Sequence, residues 1–67
     1  MGAIADYSET LRLNPRYAEA FYGRATLMAQ MGQMMAAKND FQQASKLYLQ
    51  QGKAQGYRTT LSWLKSF

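Results

Sequence analysis

Asp6 and Glu9 stand three residues apart, close enough to share one face of a helix. Two carboxylates in a cleft can divide the work of general acid and general base, provided their surroundings push their pKa values apart. Glu19 and Asp40 are the only other acids. Hydroxyl nucleophiles are available at Ser8, Ser45, Ser62 and Ser66, but a serine needs a base beside it. The 67 residues include no histidine and no cysteine. That removes the usual base near neutral pH, the commonest metal ligand and any thiolate. Gly52 and Gly56 neither follow a strand nor lead into a lysine–serine pair, so they make no phosphate cradle. We therefore expect no catalytic residue, no cofactor and no metal site, with Asp6 and Glu9 on a solvated helix face.

The remaining chemistry is charge. Eight Lys and Arg against four Asp and Glu give a net charge of +4. Residues 1–40 carry all four acids and four cations, and sum to zero. Residues 41–67 carry Lys46, Lys53, Arg58 and Lys65 with no acid. Such asymmetry can mark contact with nucleic acid or an anionic surface. Spread over so many positions, it reads first as a solvated basic face. The hydrophobic fraction of 48% is too high for a disordered chain. One proline and five glycines are too few for a fold built on many tight turns. No apolar run approaches the ~20 residues of a membrane span, and no leader is visible at the start. A small soluble, cytoplasmic helical domain is the expectation.

Four helices account for the apolar spacing. Ala3, Tyr7, Thr10 and Leu11 lie on one face of a helix over 3–13, which Asn14-Pro15 ends because proline cannot continue it. Ala18, Phe21, Ala25 and Met28 predict a second helix over 17–31, with Gly32 as its left-handed cap. Ala37, Phe41, Ala44, Leu47 and Tyr48 predict a third over 34–51, interrupted by Gly52. Tyr57, Leu61 and Leu64 predict a fourth over 54–66. Short connectors make neighbouring helices antiparallel, so the chain should zigzag as stacked hairpins.

The chain resembles the tetratricopeptide repeat (TPR) family. Residues 3–15, AIADYSETLRLNP, look like the second half of one repeat with its closing proline, and residues 18–51 look like one complete unit. Phe21 takes the place of the first-helix tryptophan, Arg24 and Ala25 the usual Leu-Gly pair, Met28 the tyrosine, and Ala37, Phe41 and Ala44 the Ala…Phe…Ala of the second helix. A step of 34 residues, one TPR unit, carries Ala3 to Ala37 and Tyr7 to Phe41. The same step carries Pro15 to Leu49, so the closing proline is missing there and the third helix runs on. The phrasing is similar to the final repeats of bacterial, particularly cyanobacterial, TPR proteins. The resemblance implies an all-α stack over 1–67: the second helix of a leading repeat (1–17), one complete repeat (18–51) and a capping helix (52–67). Small residues at Ala25, Ala37 and Ala44 would let helix backbones approach, with Phe41 buried near Ala25 and Phe21.

In TPR proteins the first helices of successive repeats line a groove for a peptide or partner protein. The resemblance places Glu19, Tyr22, Gly23, Thr26, Ala29 and Gln30 on that surface. Tyr22 is either a groove contact or a partial core filler. Gly23 stands where the carboxylate-capturing subclass has asparagine, so that activity is not carried over. The resemblance implies a non-enzymatic protein-interaction module; a basic C-terminal face that binds nucleic acid is the alternative. Met28, Met31, Met34 and Met35 cluster at the hairpin turn, where we expect packing between helices. Trp63 and Phe67 lie off the Tyr57–Leu61–Leu64 face; they either meet another chain or mark a chain end. One and a half repeats fall short of the ~3 a solenoid usually needs. Hence the chain is part of a longer array, or a second copy covers its first helix at Ile4, Tyr7, Leu11 and Leu13.

Overall fold

A computed structural model describes residues 2–67. It is all-helical among the described residues: α1 Ala3–Leu13, α2 Ala18–Gln30, α3 Met34–Gln50 and α4 Ala54–Lys65. Each helix packs against its neighbour in sequence. The Cα extents are 32 × 28 × 14 Å. The smallest of these fits two helix layers, since axes ~9 Å apart add to a Cα cylinder ~4.6 Å across. No helix of the described residues is long and apolar enough to cross a membrane.

The connectors follow from a few residues. After α1, Asn14 accepts the Tyr17 amide on its carbonyl at 3.2 Å and the Arg16 amide on its side-chain Oδ1 at 3.4 Å. Pro15, without an amide hydrogen, forces the chain to turn there. The next two connectors share one geometry. Gly32 and Gly52 have φ of 82° and 71°, the left-handed region that glycine enters without penalty. Behind each, paired amides reach back to the last helical turn. Gln33 and Gly32 donate to the carbonyls of Met28 and Ala29, and Lys53 and Gly52 to those of Tyr48 and Leu49. This is the double-bonded cap that satisfies a helix's orphan carbonyls.

Two apolar clusters hold the helices together. Near one end Ala18, Ala44, Leu47 and Tyr48 are buried, with Phe21, Tyr22 and Tyr57 against them. Near the other, Ala25, Ala37 and Phe41 are buried, with Met28, Ala29, Trp63 and Leu64 against them. Phe41 is fully buried beside Ala25, as the spacing predicts, but Phe21 belongs to the other cluster. On α4, Tyr57 and Leu64 pack against the two clusters as their spacing predicts, and the inner face extends further, to Gly56, Thr60 and Trp63. The ring of Trp63 stacks on Phe41, with centroids 5.0 Å apart and planes at 17°. Phe67 meets the same ring edge-on at 5.8 Å. Trp63 is thus packed within this chain, while Phe67 touches the core ring and stays 37% exposed. Gly56 lets α4 approach α3 closely: a Cβ there would lie 2.5 Å from Tyr48 Cε1.

Candidate functional site

The face of α2 chosen by sequence is largely consumed by packing. Tyr22 meets Phe41 edge-on at 5.8 Å, and its hydroxyl accepts a hydrogen bond from Trp63 Nε1 at 2.9 Å. The hydroxyl thereby links α2 to α4 across the Phe41 ring. Gly23 lies under the ring of Tyr7 from α1, with no room for a Cβ. Thr26 is half-buried and donates its hydroxyl hydrogen to the Gly23 carbonyl at 2.8 Å. Ala29 packs against the Phe41 cluster. Glu19 and Gln30, at opposite ends of α2, remain exposed.

Glu19 accepts a hydrogen bond from Lys53 Nζ at 3.0 Å, and this bond lowers its pKa below the ordinary glutamate range. The contact ties the α3–α4 turn to the start of α2. Gln51 Nε2 strengthens the same junction by donating to the Arg16 carbonyl at 2.7 Å. One of the four cations of the basic segment is therefore neutralised within the chain. Lys46, Arg58 and Lys65 stay exposed.

A second polar cluster went unpredicted. Arg24 Nε and Nη2 grip Asp40 Oδ2 and Oδ1 at 2.6 and 3.0 Å, and its Nη1 donates to Ser8 Oγ at 3.0 Å. One guanidinium thus joins α1, α2 and α3. Its pKa is raised above the ordinary arginine value, first by the hydrogen-bonded Asp40 carboxylate, with burial opposing. The guanidinium carbon also lies 5.7 Å from the centre of the Phe21 ring. The available signal was an arginine and an aspartate, each beside a core residue (Ala25 and Phe41), on facing helices.

The carboxylates first considered for chemistry do not form an acid–base pair. Both oxygens of Glu9 are held by Arg12, whose guanidinium draws the Glu9 pKa down. Ser8 is bound to Arg24, and the Ser45 hydroxyl donates to the Gln42 carbonyl. Among the described residues no cluster of His, Cys, Asp or Glu could hold a metal ion.

What stays open is apolar. A groove of about 500 Å3 runs between the start of α1 and the end of α2, lined in part by Ala3, Ile4, Leu27, Gln30, Met31 and Gln33. Of the four clustered methionines only Met28 packs into the core. Met31, Met34 and Met35 are 62%, 52% and 82% exposed, contrary to the expectation that they pack between helices. On α1, Leu11 is buried and Ile4 and Tyr7 are half-buried, while Leu13 is exposed. No protein-family model, no curated protein and no solved structure matches this chain.

Proposed function

We propose that the chain is a non-enzymatic interaction module of TPR type, binding a peptide or partner protein through its helical surfaces. The observation that carries this reading is the face of α3. Ala37, Phe41 and Ala44 are each fully buried. Phe41 touches residues of both α2 and α4. A small–large–small stripe clamped between the preceding and following helices is the packing a helical repeat requires. The short turns at Gly32 and Gly52, alike in geometry, fit the same design. Polar groups within the fold are largely spent on holding helices together, which suits a scaffold better than a catalyst. On α2 the partner would meet Gln30, Glu19 and the edge of Thr26, with Tyr22, Gly23 and Ala29 supporting them from beneath.

Selection of peptides from a random library on the immobilised chain tests the reading. An enriched peptide should bind in solution with an affinity that Gln30→Ala or Glu19→Ala weakens and that 0.5 M salt changes little. Failure to enrich any sequence over a blank surface refutes the peptide-binding reading. Salt-sensitive binding to duplex DNA or RNA, lost on neutralising Lys46, Arg58 and Lys65, would instead install the basic face as the functional one.

A further inference from the structure

We infer that the α3–α4 hairpin takes up an acidic amphipathic helix of a partner protein, laid along the seam between its two helices. This surface goes beyond the proposed α2 contact and shares no residue with it. Three ion pairs consume Arg12, Arg24 and Lys53, and every acidic side chain except Asp6. Five cations are left without a carboxylate among the described residues. Four of them, Lys38, Lys46, Arg58 and Lys65, stand on α3 and α4, and all four are exposed. Asp6 sits on α1, at the opposite end of the stack. One hairpin therefore displays the net positive charge of the chain.

Packing fixes where these cations stand. Phe41 stacks on Trp63, and the Tyr48 ring lies against Gly56. That antiparallel register sets Lys46 level with Arg58, and Lys38 level with Lys65. Leu49, Ala54 and Tyr57 line one depression on the seam. Lys46 is one turn from Leu49 and Arg58 one turn from Ala54, so both flank that depression. Lys38 lies three turns before Leu49, and Lys65 two turns beyond Tyr57, on the same side. Along each helix the two cations are separated by ~10–12 Å of rise, the distance between carboxylates a heptad apart on a helix laid alongside. Leu49 decides which anion fits. It is 61% exposed between the cations and calls for an apolar side chain, which an amphipathic helix supplies and a phosphate backbone does not. The aromatic rings of α4, Tyr57 and Trp63, are half-buried against the core, so bases find no open ring to stack on.

Fluorescence anisotropy of a labelled, alanine-rich helical peptide tests the site on the whole chain. The peptide carries two glutamate pairs a heptad apart and one leucine between them on the same face. At ~50 mM salt, with protein up to ~1 mM, binding should saturate. It should weaken roughly tenfold by ~0.5 M salt. The double variant Lys46→Glu/Arg58→Glu, at two exposed positions, should weaken it roughly tenfold with helicity unchanged by circular dichroism. Leu49→Gln, or alanine for the leucine of the peptide, should cost about threefold. Gln30→Ala should leave the affinity as it was. Absence of saturable binding, or binding that survives the double charge reversal, overturns the inference. So does an affinity indifferent to both leucines, which makes the contact one of charge alone. Loss of binding in Gln30→Ala moves the peptide to α2 and overturns it too. A single-stranded RNA of about ten nucleotides that binds more tightly at the same salt overturns it in favour of nucleic acid.

Discussion

Replacing Arg24 by methionine strands Asp40. The residue is 5% exposed, and both carboxylate oxygens are held by the guanidinium. Removing one member of a buried ion pair costs ~3–5 kcal/mol, because the charge left behind is uncompensated. The lower end of that range applies here. The Arg24 side chain is 21% exposed, so water already reaches one edge of the pair and can enter when the guanidinium goes. A domain of this size has a total stability of roughly 3–10 kcal/mol. Arg24→Met at pH 7 should therefore lose about 3 kcal/mol and lie close to unfolding. The double variant Arg24→Met/Asp40→Leu removes both charges and fills the space with apolar atoms. It should recover most of that loss, since buried pairs are often matched or bettered by hydrophobic replacements. Urea unfolding followed by circular dichroism measures all three chains. A loss below ~1 kcal/mol in the single variant, or a double variant as weak as the single, would show that the pair is not the joint between helices described here.

Four further outcomes follow from the same contacts. Phe41→Ala, at the centre of the α2–α3–α4 junction, should cost ~3–5 kcal/mol and abolish cooperative thermal unfolding near room temperature. Gly56→Ala gains ~1 kcal/mol of helix propensity but drives a Cβ into the buried Tyr48 ring, so urea titration should find net destabilisation. Trp63→Phe keeps the stack on Phe41 and loses the hydrogen bond to Tyr22, which should cost ~1 kcal/mol and cost no more when Tyr22→Phe is added. Lys53→Gln should return the Glu19 carboxyl to the ordinary glutamate range, read by NMR titration. Because the Glu19 pKa is depressed in the fold, the pair adds stability above that range and loses it as pH falls through the lowered value. With side chains 50% and 45% exposed, it contributes only ~0.5 kcal/mol, and the wild type and Lys53→Gln should converge in acid.

The helices were legible because their punctuation is chemical. Pro15 and the two left-handed glycines end elements for reasons that hold in any context. The stripe of Ala37, Phe41 and Ala44 was legible because its period is that of a helix. The full inner face of α4 was not. Reading Tyr57, Leu61 and Leu64 as that face follows side-chain size, and Tyr57 and Leu64 do pack inward. Close approach also depends on the smallest residues, so Gly56, Thr60 and Trp63 join the contact. The Arg24–Asp40 joint escaped for a related reason: a charge on an apolar stripe reads as a defect until the partner stripe carries its complement.

A helix face is groove or core according to whether another helix is laid on it, and residue types do not settle which. On α2, Trp63 of α4 caps Tyr22, and Tyr7 of α1 caps Gly23. Both positions are therefore partly covered while the neighbouring helices are docked. At the far end of α2 the α1 start leaves a gap, and there Gln30 and Met31 stay exposed beside a half-buried Leu27. Under the proposed reading, recognition would fall to side chains the fold leaves unspent. One such set is the uncharged one beside the Gly32 turn, and contacts made there would respond to shape and burial far more than to salt.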